Sequence, residues 1–149
     1  MPEEASGQKP LGKEWPESLP VVQVRVARPT GRLQELKRFY CDGIGLEVVG
    51  SFEGHAGYSG VMLGLPGTGY HLEFTEHEEA RGADYPPPSA DNLLVLYIPE
   101  RATVERIAGR LAALGYPAVP PENPYWNERG VTVADPDGWR VVLMNTSGI

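Results

Sequence analysis

Apolar and polar residues alternate with period two in VVQVRVA, Val21–Ala27. Val22, Val24 and Val26 face one way and Gln23 and Arg25 the other, which predicts a first strand. Pro29 and Thr30 then open a helix whose apolar stripe is Leu33, Leu36, Phe39 and Tyr40, and Gly43 and Gly45 end it. Leu46–Phe52, Ser59–Pro66 and Tyr70–Glu76 read as three further strands, with a glycine-rich turn before the last. The hairpin or loop Glu53–Gly60, with His55 and Tyr58, is placed to fold over a pocket as a lid.

A polar connector, 77–91, carries Pro86-Pro87-Pro88 and is suited to neither helix nor strand. The pattern then begins again. Asn92–Pro99 reads as a strand, and Thr103 as the cap of a helix with Val104, Ile107, Ala108, Leu111 and Leu114 on one face. Gly115 ends that helix and YPAV follows. Gly130–Asp135 and Trp139–Asn145 are strands joined by the turn Pro136-Asp137-Gly138. The spacing between halves is nearly constant: Gln23 plus 69 is Asn92, Glu73 plus 69 is Val142, and Gly45 plus 70 is Gly115. A β-α-β-β-β unit repeated at one offset predicts a duplicated module, with module one at 20–76 and module two at 92–146. Residues 1–19, with prolines among Glu, Gly, Ser and Lys, read as a flexible N-terminal tail that docks, if at all, through Trp15.

Composition narrows the class. A chain of 149 residues fits one domain at 20–149, large enough for a core without disulfides. The net charge of −7, with no basic cluster, argues against nucleic-acid binding. No apolar run approaches the ~20 residues of a membrane helix. The single cysteine, Cys41, and the polar N-terminus point to a cytoplasmic protein. Cys41 ends the first helix with no His or Asp matched to it and reads as a packing residue.

The segments RFYCDGIGLEVV (Arg38–Val49), YHLEF (Tyr70–Phe74) and ADPDGWRVVL (Ala134–Leu143) stand in an order that resembles the vicinal oxygen chelate superfamily. That superfamily includes glyoxalases, bleomycin-resistance proteins, extradiol dioxygenases and fosfomycin-resistance enzymes. The resemblance covers about Val21 to Asn145. It implies an α+β fold in which two tandem βαβββ modules form a curved, cup-like mixed sheet with helices outside. The same cup hosts isomerisation, ring cleavage, nucleophilic addition and plain binding, so the fold leaves the activity open.

In metal-dependent members four positions face the bottom of the cup, and the resemblance maps them to Gln23, Glu73, Asn92 and Val142. Gln23 and Glu73 are possible ligands, Asn92 is a weak one with Asp91 as its neighbour in register, and Val142 cannot bind a metal. A catalytic divalent ion normally takes three or more protein ligands, so the set is defective. No cofactor is therefore expected, and a divalent ion (Zn, Ni, Fe or Mn) would need Gln23, Glu73 and His71. His71 stands two residues before Glu73, on the same strand face, where it is either a general base or spare ligand beside Glu73 or a rim residue bonded to solvent. Arg25 shares the face of Gln23 and can hold a carboxylate or pair with Glu73. Tyr125 and Trp126 either anchor their proline-rich loop or stack over a planar ligand at the cup's mouth.

Two functional readings follow. The first is metal-free binding or sequestration of a small organic molecule, lined by Gln23, Arg25, Asn92, Tyr125 and Trp126, with Glu73 and His71 on the floor. The second is a divalent-metal lyase or dioxygenase of glyoxalase type. A structural dimer with a vestigial pocket is a third class. In each case the resemblance implies a homodimer with two-fold symmetry.

Overall fold

Strands form where alternation finds a partner ladder, and this shifts several ends by a few residues. The computed structural model describes residues 19–65 and 67–149, so all but the last residue of the expected tail lies outside the described residues. Module one contributes β1 (Val24–Pro29), β2 (Glu47–His55), β3 (Tyr58–Gly64) and β4 (Tyr70–His77), in the sheet order β1-β4-β3-β2. β1 runs parallel to β4, from Val24 opposite Tyr70 to Pro29 opposite Thr75, and the other pairs are antiparallel. The strand therefore starts three residues later than its valines suggest: Val22 is exposed and Gln23 precedes the ladder. Pro29 is tolerated because β1 is an edge strand.

The segment 53–60 is the tip of the β2–β3 hairpin. Ala56 and Gly57 both have positive φ (54° and 86°), as a two-residue hairpin turn of the mirror-image type requires. The ring of Tyr58 packs edge-on against His77 at 4.7 Å, so the tip continues the sheet and does not act as a separate lid.

Module two contributes β5 (Leu93–Tyr97), β6 (Gly130–Ala134) and β7 (Arg140–Met144), in the order β5-β7-β6, with β5 parallel to β7. The fourth strand of the expected repeat is reduced to one bridge, Ala118 to Val133. Pro117, Pro120 and Pro121 surround that bridge, and prolines cannot donate to a ladder. The two sheets, of four and three strands, remain separate.

The first helix, α1 (Leu33–Lys37), runs on into a π-helical stretch, Arg38–Ile44. The wider turn buries the adjacent pairs Phe39-Tyr40 and Gly43-Ile44 on one face. Gly45, at φ 110°, closes it in the left-handed region. α2 (Arg101–Ala113) begins after Glu100, whose side chain makes no capping bond to the helix backbone; Thr103 lies inside the first turn and donates to the Glu100 carboxylate at 3.1 Å. α2 crosses the π stretch where Gly43 has no side chain, because a Cβ there would overlap Leu111. Arg110 donates to the carbonyls of Gly43 (3.0 Å) and Ile44 (3.2 Å), two groups that the helix end leaves unpaired.

One apolar cluster joins both modules, from Leu33, Phe39 and Phe74 in the first to Leu111, Val133 and Leu143 in the second. The helices thus lie on one face of each sheet and meet each other, leaving the opposite sheet faces free of helix. Among the described residues, no helix is long and apolar enough to cross a membrane.

The connector is pinned to both halves. Arg32 donates to the Ala83 carbonyl and to Asp84, Gly82 N–H to the Gly31 carbonyl, and Trp139 Nε1 to the Tyr85 carbonyl. Gly31 makes this possible, because a Cβ there would overlap the backbone of Ala80 and Ala83. Gly31→Ala is therefore expected to cost about 1–3 kcal/mol. Urea denaturation checks this, and an unchanged midpoint would show that the connector gives way freely.

Candidate functional site

The helix-free face of the first sheet carries the charged chemistry of module one. Leu72 and Phe74 point into the core, so alternation along β4 turns His71 and Glu73 to the other face. Register brings Arg25 beside His71 and Ala27 beside Glu73 on β1, with Gly64 and Met62 opposite them on β3. Arg25 Nε donates to His71 Nε2 at 2.9 Å, and its Nη1 lies 3.6 Å from Glu73 Oε1. The Arg25 side chain is 48% exposed and that of Glu73 13%. His71 is buried, and the bond to Nε2 puts the ring proton on Nδ1, a buried atom with no partner among the described residues. Three residues singled out in the sequence, Arg25, His71 and Glu73, thus form one cluster.

The other expected site residues stand apart from it. Gln23 is exposed, before the start of β1. Asn92 lies one residue before β5, and its Oδ1 accepts from Ser89 at 2.9 Å. Val142 is fully buried between Val141 and Leu143, which belong to the core, so it takes the helix-free face of the second sheet. Trp126 lies in a 3₁₀ turn, Pro124–Asn127, opened by Asn123, whose side chain accepts from Tyr125 N–H at 3.0 Å. That turn packs against β6, with the Trp126 carbonyl and Val142 Cγ1 both against Gly130. Tyr125, 60% exposed, stands edge-on to Trp126 at 4.9 Å. The aromatic loop therefore sits over the second sheet, and four cavities among the described residues have linings without Glu73, His71, Val142 or Trp126. Cys41 is half-buried, and burial pushes its thiol above the ordinary value, which makes it a poor nucleophile at neutral pH.

A second polar cluster stands at the DPDG turn. Asp135, the first residue of the DPDG turn, is buried with four donors on it. Arg28 Nη2 (2.9 Å) and Tyr40 Oη (2.8 Å) donate to Oδ2, and the backbone N–H groups of Asp137 (2.8 Å) and Trp139 (3.0 Å) to Oδ1. Burial first, then the negative charge of Asp135, holds the Tyr40 hydroxyl well above its usual range, so it remains a donor. Arg28 is also stacked on Trp139 (4.3 Å) and Phe74 (4.9 Å). This network joins the two modules. The sequence signal was present in DPDG, but it read as a turn alone.

The YycE-like N-terminal domain matches residues 24–75 and the YycE-like C-terminal domain residues 91–145, the two modules described above. The uncharacterized protein YycE of Bacillus subtilis (strain 168) is 49% identical over 139 residues, covering 93% of this chain and 98% of its own. A crystal structure of YycE from Bacillus subtilis, of unknown function and put forward as a glyoxalase/fosfomycin resistance protein, superposes with a TM-score of 0.84 over 92% of this chain and 98% of that one. At 20% identity, glyoxalase I of Leishmania major (TM-score 0.64, 82% and 84% covered) shares the fold. So does TnmS3, an antibiotic binding protein from Streptomyces sp. CB03234 (20% identity, TM-score 0.58, 85% and 96% covered). The chain belongs to the YycE-like family and carries the fold of the vicinal oxygen chelate superfamily.

Proposed function

We propose that the protein binds a small organic molecule without a metal, on the helix-free face of the first sheet, with Arg25, His71 and Glu73 as the polar floor. The observation that carries this reading is the position of the Arg25 guanidinium. It lies against both His71 Nε2 and Glu73 Oε1, the two donors that a metal would need, and supplies the positive charge itself. The remaining donors do not fit a divalent ion: Asn92 Oδ1 is already bonded, Gln23 lies outside the strand and Val142 is apolar. Among the described residues no three His, Cys, Asp or Glu side chains converge. Lewis-acid chemistry of the glyoxalase or dioxygenase kind is the rival reading, and His71 with Glu73 are the residues it would use.

The same fold serves TnmS3, an antibiotic binding protein, which is consistent with a binding role here. The aromatic loop lies over the second sheet, so it closes over the floor of the first only if another copy supplies it. We therefore propose a two-fold homodimer, with Tyr125 and Trp126 of one copy facing Glu73 of the other. Exposed Val49, Tyr58 and Tyr97 are the apolar side chains such a contact would cover.

The ligand class this arrangement favours is planar and aromatic, with a positive group toward Glu73. A fluorescence screen of cationic aromatics is expected to find quenching compounds, and Trp126→Ala to lose that quenching while remaining folded by circular dichroism. Glu73→Gln is expected to weaken the same compounds about tenfold. Wild-type affinity in both variants would remove the loop and the floor from the site. Light scattering is expected to give twice the 16.3 kDa chain mass.

A further inference from the structure

The seam between the modules holds a crevice of about 120 Å³, whose lining shares no residue with the Arg25–His71–Glu73 floor. Its walls are apolar, with Val26 and Leu72 from the first sheet, Leu93 and Leu94 from β5, and the ring of Trp139. Its polar groups are of one kind. Arg28, Arg140, Tyr40 and Tyr70 line it, and no carboxylate does, in a chain whose net charge is −7.

Arg28 is the fixed charge of the crevice. Among the described residues only its Nη2 is used, by Asp135 and Tyr40, and Asp135 spreads its charge over three other donors. The Nε and Nη1 groups have no partner among the described residues, and the guanidinium plane is held rigid between Trp139 and Phe74. The Tyr70 hydroxyl, half-buried beside Arg28, also lacks a partner among the described residues. A preorganised guanidinium edge and a spare hydroxyl, set at the end of an apolar slot, match one carboxylate on a small apolar body. The volume is close to the roughly 150 Å³ of an apolar cavity that holds benzene, which limits that body to about one six-membered ring.

We propose that this seam crevice is a second binding site, for a small aromatic or branched aliphatic monocarboxylate. The acid group is held by Arg28 and Tyr70 and the body lies between Val26, Leu72 and Leu93. Such a ligand bridges the two modules and so stabilises their packing.

Benzoate is the probe, with benzamide as its neutral counterpart, titrated into the full chain and followed by ¹H–¹⁵N spectra. Saturable 1:1 binding of benzoate is expected, with shifts at β1, β5 and Trp139, and benzamide about tenfold weaker or absent. Tyr70→Phe is expected to weaken benzoate about threefold to tenfold, and Val26→Trp, at a half-exposed wall position, to block it with the fold retained by circular dichroism. Tyr70→Phe stays informative should Val26→Trp fail to fold. Benzamide binding as well as benzoate, no saturable binding, or benzoate affinity unaffected by Tyr70→Phe would each overturn the proposal. Loss of benzoate binding in Glu73→Gln would place the probe on the Arg25–His71–Glu73 floor, and would equally overturn it.

Discussion

Asp135→Ala is expected to lower stability by about 3–5 kcal/mol, the cost of breaking a buried ion pair from one side. The carboxylate is fully buried, and its loss leaves Arg28, the Tyr40 hydroxyl and two backbone N–H groups without their acceptor. Those donors come from both modules, so the damage falls on the joint between them. Most domains hold only about 5–15 kcal/mol in total, so the variant should be marginal at 37 °C. Asp135→Asn keeps an acceptor oxygen and should lose less. Urea midpoints of the three proteins decide the matter, and a loss below about 1 kcal/mol in Asp135→Ala would mean that the network is incidental to the joint.

Phe39→Ala is expected to cost a comparable 3–5 kcal/mol, through a different mechanism. Phe39 is wholly buried and meets Tyr40 (4.8 Å) and Tyr116 (5.1 Å) edge-on, so it too spans the modules. Truncation would leave a cavity bordered by the rigid π stretch and α2, elements that cannot close around it. The expected signature is a lower urea midpoint at unchanged slope. A loss under about 1.5 kcal/mol would indicate that the helices collapse into the gap.

Much of the fold was legible because burial writes its period into each element separately. Leu72 and Phe74 on β4, and Val104, Ile107 and Leu111 on α2, announce their faces within a few residues. The duplication was legible for the same reason, since two modules built alike repeat their patterns at one offset. The adjacency of His71, Glu73 and Arg25 followed from alternation along two neighbouring strands.

What escaped is long-range or depends on the ladder. Arg28 and Asp135 lie 107 positions apart, and Tyr40 and Asp135 lie 95 apart, so no local pattern links them. Gln23 was placed on a strand by its valine neighbours, yet pairing on β4 begins only at Tyr70, which leaves it outside. The fourth strand of module two failed for a readable reason: three prolines in 117–121 deny it a ladder. The side of the molecule on which Tyr125 and Trp126 lie is set by the turn after Asn123 and its packing on β6, which periodicity does not report.

In the proposed site Arg25 takes the place of a metal between His71 and Glu73. Native mass spectrometry with elemental analysis, on protein purified without chelator and then offered zinc or nickel, separates this from the metal-dependent reading. The expected wild-type result is a metal-free mass with no stoichiometric uptake, while Arg25→Ala, which frees both donors, takes up the ion measurably. A stoichiometric divalent metal on the wild-type protein, lost in Glu73→Gln, would contradict the claim and establish the metal-dependent reading in its place.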